Sequence, residues 1–252
     1  MFGARDIRIT VITPSRGDRP RALAQAGRSL ESAAGRAVLE GLMAPGQVQW
    51  LVGFDGVKGA RPKVSVPSRF IDFPKSGNFG NFIRDRLIRL AAGSHLMFLD
   101  DDNALTENAL TSLLPHLASE LVIARIDVSL AFDIPFLPRP ASGRETGGGE
   151  FPAQPPADTA CVAREAVQPG NIDPLCLCVS RELVTGRGRG WSGEGGYESD
   201  FINIRRYFLR ARSVAVIEDV VGVYDAGRGL DPEGMNARQS RAAPAGSRPG
   251  PA

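Results

Sequence analysis

The front half of the chain alternates apolar runs with helical patterns, and its third apolar run ends on three adjacent carboxylates. Ile7–Ile12, Val48–Phe54 and His95–Leu99 each have the composition of a buried strand. Arg21 to about Leu42, Asn78–Ala92 and Thr106–Ala118 have helical patterns. That order restricts the chain to an α/β fold, with a mostly parallel central sheet flanked by helices on both faces. In such open sheets ligands bind at the carboxyl ends of the strands. Asp100-Asp101-Asp102 stands at one of those ends, directly after Leu99. Three like charges repel one another unless something cationic lies among them. A divalent metal would serve, because hard cations take oxygen ligands. A solvated acidic turn capping the next helix is the competing reading of the run taken alone.

Local signals refine the order. Asp18 suits a helix N-cap, with Pro20 in the first turn. In Asn78–Ala92, Phe79, Ile83, Leu87 and Leu90 share one stripe, and Arg84, Asp85, Arg86 and Arg89 occupy the rest. A short strand fits Phe70–Asp72, one or two strands fit Leu121–Phe132, and another fits Ile172–Val179. Glu198–Arg212 reads as a helix, followed by two short strands, Val214–Ile217 and Val220–Tyr224. Ile134–Gly170 is dominated by Pro and Gly, and a loop this long is usually functional or disordered. From Asp225 onward Gly, Pro, Arg, Ala and Ser predominate, so residues 225–252 are expected to be a disordered tail. Residues 1–224 are then one domain, divided near residue 104.

With 252 residues, 42% hydrophobic and 23% charged, the chain can bury a sizeable core. A net charge of +2 argues against a nucleic-acid partner recruited by bulk charge. Nearly all the positive charge is Arg, which favours bidentate contacts to phosphate or carboxylate. Cys161, Cys176 and Cys178 are too few for a disulfide framework. With only His95 and His116 beside them they do not suggest a structural zinc site, and they are expected to be core thiols. No run approaches the ~18 apolar residues of a membrane span, and no secretory leader is evident. A cytoplasmic protein follows, at most peripheral at the inner membrane surface.

Four clusters could carry chemistry. Thr13-Pro14-Ser15-Arg16 follows the first strand and offers N–H groups and hydroxyls to a ligand, or is a plain turn. Asp55 follows the second strand and could accept from a base or ribose, although Asp-Gly is also a common turn. Arg84 precedes the acidic run and could bind a nucleotide or orient a carboxylate. Tyr197-Glu198-Ser199-Asp200 opens a helix after a Gly-rich stretch. Its carboxylates suit the helix dipole, or one of them serves as a general base.

Taken in order, these pieces resemble glycosyltransferase family 2, with its GT-A nucleotide-sugar fold. The resemblance rests on Ile12-Thr13-Pro14-Ser15-Arg16, Gly53-Phe54-Asp55-Gly56, Asn78–Gly93 with Arg84-Asp85, Phe98–Asp102, Val179–Leu183 and Gly196–Phe201. It implies an inverting, metal-dependent glycosyltransferase moving a sugar from a nucleotide diphosphate, a UDP-sugar being the commonest donor. Asp55 would contact the base, Thr13–Arg16 would lie near the nucleoside and Arg84 would hold the nucleotide. Asp100 and Asp102 would form the Asp-x-Asp pair. Asp102 would bind Mn²⁺ or Mg²⁺, and Asp100 would contact ribose or a metal-bound water. Asp101 intervenes in the same donor-binding run and points elsewhere. Glu198 or Asp200 would be the base, with Glu198 favoured by alignment to the following helix.

The sequence departs from that family where Ser199 splits the usual adjacent acidic pair, and where Tyr224 and Asp225 stand in place of a late His. The long Ile134–Gly170 segment suggests an acceptor-site flap. The acceptor would be a saccharide, a lipid-linked sugar or a small molecule, and the chain could act as a homodimer. A haloacid-dehalogenase-type phosphatase is disfavoured, because its pair belongs on the first strand and no Lys follows Lys75. A sugar nucleotidyltransferase lacks its Gly-rich, Lys-bearing N-terminal signature here. The remaining alternative is a degenerate GT-A domain that binds a nucleotide or partner without turnover.

Overall fold

The computed structural model describes residues 6–139 and 159–240. Its centre is β1 (Ile9–Ser15), every residue of which is buried. β1 lies between β2 (Val48–Asp55) and β4 (His95–Phe98), parallel to both, and β2 pairs in parallel with β3 (Ser68–Phe73). A strand covered on both faces needs a continuous apolar, β-branched run rather than alternation, and Ile9-Thr10-Val11-Ile12 supplies one. The sheet continues through β8 (Leu177–Ser180), β6 (Leu121–Asp127), β9 (Val214–Val223) and β5 (Ala104–Leu105), with β7 (Phe136–Leu137) beside β6. β8 runs antiparallel to β4 and β6, while β6 and β9 are parallel. Counted by paired residues, the sheet is mostly parallel.

Two helices place the front-half site. α1 (Pro20–Leu39) buries Leu23, Ala26, Leu30, Ala33 and Ala37 against the sheet. α2 (Asn81–Leu90) sits over β2, where Gly53 leaves room: a Cβ there would lie 2.4 Å from Ile83. α2 starts three residues later than the periodicity predicts, because Phe79 and Gly80 take left-handed φ of 47° and 75°. Its inward stripe is Ile83, Arg84, Leu87 and Ile88, so Arg84 is buried while Phe79 and Leu90 are exposed.

Other elements also differ from the sequence reading. The helix expected over Thr106–Ala118 is α3 (Ala109–Leu113) plus a 3₁₀ turn, since Pro115 has no N–H to continue the ladder. The two short final strands are one strand, β9, which follows β6 through two register shifts. Within the Pro/Gly-rich segment, β7 and α4 (Thr159–Ala166) are regular, and residues 140–158 lie outside the described residues. The expected break at Tyr224 does not hold. Residues 225–240 fold back on the domain with Asp225, Gly234 and Gln239 buried, because these residues meet polar partners rather than an apolar face. Residues 241–252 lie outside the described residues. α5 (Arg181–Thr185) and α6 (Ser199–Phe208) complete the fold. Cys176 and Cys178 are buried, as expected of core thiols, but Cys161 is exposed. Among the described residues, no helix is long and apolar enough to cross a membrane.

Candidate active site

β1, β2 and β4 end on the same edge of the sheet, and the acidic run leaves β4 there. β8 approaches this edge from the opposite direction. Met97 pairs with Cys178, so the residues preceding β8 lie beyond the end of β4, which brings Asp173 beside Asp100. α2 and α6 meet over the edge through Asn81, whose Oδ1 accepts from Trp191 Nε1 (2.7 Å) and Ser199 Oγ (3.0 Å).

Arg84 is the centre of one cluster. Its guanidinium donates Nη2 to Asp100 Oδ1 at 2.6 Å and Nη1 to the Phe79 carbonyl at 3.1 Å. Nη1 also lies 3.5 Å from Asp200 Oδ1, an ion pair rather than a tight hydrogen bond. The guanidinium stands 5.3 Å from the centroid of the buried Trp191 ring. Burial works against the Arg84 charge, but Asp100 and Asp200 more than reverse this and hold it ionised. The Arg84 side chain is only 3% exposed, against 39% for Asp100 and 37% for Asp200, so the carboxylates face outward from a buried cation. Burial raises Asp200 above the usual aspartate range, with Arg84 opposing the rise. Asp173 is pushed up to about 7, first by burial and then by the charge of Asp100.

A second cluster surrounds Asp101 and Asp102. Arg19, the residue before α1, places Nη1 3.2 Å from Asp101 Oδ1 and 2.5 Å from Asp102 Oδ2. Ser15 Oγ donates to Asp101 Oδ2 at 2.6 Å. Gln239 donates Nε2 to Asp102 Oδ2 at 2.7 Å and also to Asp225 Oδ1, while its Oε1 accepts from Arg19. The segment is tied on again where Gly227 N donates to the Asp102 carbonyl (2.8 Å) and Asp225 N to Asn103 Oδ1 (2.8 Å). Burial, then the neighbouring Asp102 charge, pushes Asp101 up to about 7. Burial also raises Asp102, against the pull of Arg19.

The structure therefore unites Arg84, Asp100 and Asp200, and ties Asp101 and Asp102 into a network behind them. Glu198 is exposed, and among the described residues it makes no hydrogen bond or ion pair to either cluster. Asp55 ends β2, with its carboxylate accepting from Ser76 N (2.6 Å), Ser76 Oγ (3.0 Å) and Gly77 N (3.0 Å). Burial alone would raise its pKa, but those donors hold it below the usual range. Thr13 Oγ1 accepts from the core Trp50 Nε1. Pro14 packs under Gly80. Arg16 pairs with Asp18 at 2.6 Å and donates to the Gly234 carbonyl. Sequence reasoning missed Arg19, Asp173, Trp191 and Gln239, and it named Asp225 only as standing in place of a late His. Only Trp191, isolated in a Gly-rich stretch, carries a local signal.

Asp100 Oδ2 and Asp102 Oδ1 make no hydrogen bond or ion pair among the described residues, so each of the two carboxylates keeps an oxygen for a hard cation. No group of three or more His, Cys, Asp or Glu side chains is gathered as a metal cage among those residues.

No protein-family model matches the chain, and no curated protein matches it. Solved structures do. Staphylococcus aureus TarS 1–349 aligns with a TM-score of 0.61 at 13% identity, covering 86% of this chain and 60% of that one. The same fragment in complex with UDP gives 0.59 at 11% identity, over 86% of this chain and 60% of that one. Its complex with UDP-GlcNAc gives 0.59 at 13% identity, over 86% and 58%. The chain thus spans about three fifths of TarS 1–349, and it has the GT-A-like nucleotide-sugar transferase fold.

Proposed function

We propose that this protein is a glycosyltransferase that takes a sugar from a nucleotide-diphosphate donor, with UDP-sugars first in order of test. One observation carries the reading. A buried Arg84 joins Asp100, at the carboxyl end of β4, to Asp200, at the start of α6. This arrangement occurs in a fold shared with a protein solved with UDP and UDP-GlcNAc. The joined groups are a donor-side carboxylate and a candidate base, the two parts that a direct displacement needs. Asp200 is the base in this reading, and Glu198 is not. Asp200 is half-open and its Oδ2 makes no hydrogen bond among the described residues, so it can meet an acceptor hydroxyl. Its raised pKa moves its basicity toward neutral pH, which favours proton transfer. Attack assisted from that side inverts the anomeric centre.

Asp102 and Asp100 would hold Mn²⁺ or Mg²⁺ through their open oxygens. When bound, such a cation offsets the negative charge that builds on the departing diphosphate. Arg84 orients Asp100 and keeps Asp200 ionised, while Arg19 and Gln239 hold Asp102 in place. Phe79 and Tyr197 pack edge-to-face (6.2 Å) beside Arg84 and Asp200, and form an apolar rim at which an acceptor would approach.

The first test is a thermal-shift panel of UDP, UDP-GlcNAc and other nucleotide-sugars with Mn²⁺. A donor-specific rise in melting temperature, followed by release of nucleoside diphosphate, supports the reading. Stabilisation without turnover under any acceptor would favour the second reading, a GT-A domain that binds without catalysis. That alternative draws on the engagement of Asp102 by Arg19 and Gln239.

A further inference from the structure

After α5 the chain runs Gly186-Arg187-Gly188-Arg189-Gly190, with an arginine between each pair of glycines. The loop satisfies its own backbone: the N–H groups of Gly186, Gly188, Arg189 and Gly190 donate to the carbonyls of Glu182, Leu183, Gly186 and Val184. A Cβ on Gly188 would lie 2.7 Å from the Leu183 oxygen and 2.8 Å from the Tyr207 ring, so the loop can fold this tightly only with glycine there. Gly186, Arg187 and Arg189, together with Arg210 beyond α6, line an open surface hollow of ≈ 400 Å³.

The three guanidinium groups are unequally matched. Arg187 pairs with Glu120 and donates Nη1 to the Arg210 carbonyl at 2.7 Å. The other oxygen of Glu120 accepts from Arg212 N at 2.6 Å, and Asp85, against Gly190, is paired with Arg89 at 3.0 Å and accepts from Trp191 N. The side chains of Arg189 and Arg210 make no hydrogen bond or ion pair among the described residues, and Arg210 Nη1 is buried without a partner. An unpaired buried donor on a charged group is costly. A water can satisfy the N–H, but it leaves the exposed Arg189 and the partly buried Arg210 without a carboxylate partner among the described residues. An anion answers both needs, and the planar guanidinium fork matches the oxygens of a phosphoryl group.

We propose that the hollow of Arg187, Arg189 and Arg210 is a binding site for a phosphoryl group, separate from the cluster of Arg84, Asp100 and Asp200. Arg189 and Arg210 supply the charge. Arg187, fixed by Glu120, sets the wall. The site is independent of the glycosyltransferase reading.

The test is calorimetric titration of the full chain with inorganic phosphate at constant ionic strength. A parallel arm measures co-sedimentation with phosphatidylcholine vesicles with and without phosphatidylglycerol. Saturable phosphate binding is expected, weakened about tenfold or more in Arg189→Ala/Arg210→Ala, where two charge-assisted contacts go, and retained in Arg84→Ala. Association with anionic vesicles alone, lost in the double variant, would support the site and assign its phosphoryl group to a lipid headgroup. Arg189→Ala, at an exposed position, repeats the test should the double variant fail to fold. Wild type and variants that behave alike in both arms would overturn the proposal.

Discussion

The two ends of the acidic run face different worlds. Asp100 looks outward beside Arg84, with Asp173 and Asp200 near it and much of its carboxylate in solvent. Asp102, two residues on, is 14% exposed and is held by Arg19 and Gln239, both fixed by the returning C-terminal segment. The first side consists of half-open carboxylates on either side of a buried cation. The second consists of charges already matched. A buried charge is tolerated only when it is paired and hydrogen-bonded, so the matched side gives stability and position. Ligand chemistry falls to the groups left partly open, Asp100 and Asp200 on the first side and the Oδ1 of Asp102 on the second.

Each substitution that separates the two sides sharpens this contrast. The largest effect belongs to the open side. Asp200→Asn should reduce turnover of a nucleotide-sugar about 10²–10⁴-fold, the usual range for a positioned base, while Glu198→Gln should change it little. Steady-state rates with the donor found by thermal shift decide between them, and the reverse pattern would restore Glu198 as the base. Next comes Arg84→Ala. Removing a buried cation leaves two carboxylates and a Trp191 face without their partner, and should cost about 3 kcal/mol in chemical denaturation. A loss below 1 kcal/mol would show that the cluster does not depend on it.

On the matched side, Gln239→Ala leaves Asp102 and Asp225 short of a donor and should destabilise by about 1–3 kcal/mol. Unchanged stability would mean that the C-terminal segment lies on the domain without bracing it. A pH dependence follows as well. Asp173 holds its proton up to about 7 in the folded protein, against an ordinary value of 3.8. The folded state therefore binds more protons than the unfolded one between those values, and stability falls as pH rises through that window. Asp173→Asn, which keeps a side-chain oxygen for the Leu175 N–H, should flatten the fall measured by melting temperature from pH 4 to 8.

Much of the open side was legible in the chain. The β-branched run of β1, the strand ending on Asp100 and the α2 pattern are signals of hydrophobic period and of charge at a strand end, both local in sequence. Arg84 was legible as a residue but not as a buried one, because the start of α2 is set by left-handed turns at Phe79 and Gly80 that rotate the inward stripe. The choice between Glu198 and Asp200 depended on which carboxylate turns toward Arg84, a tertiary fact. The matched side was not legible. Residues 225–240 carry no apolar period, and their own Gln239 and Asp225 are held together with Asp102 and Arg19, which stand 137 and 220 residues before Gln239. Polar burial of this kind leaves a composition indistinguishable from a solvated tail.

A nucleotide diphosphate should bind across this asymmetric pair. Calorimetric titration of UDP into the protein with Mn²⁺, compared with Asp100→Ala and Asp102→Ala, measures it. We expect saturable binding to the wild-type chain that weakens at least tenfold, about 1.4 kcal/mol, in either variant and in excess chelator. Equal affinity in all three proteins, with or without the metal, would contradict it.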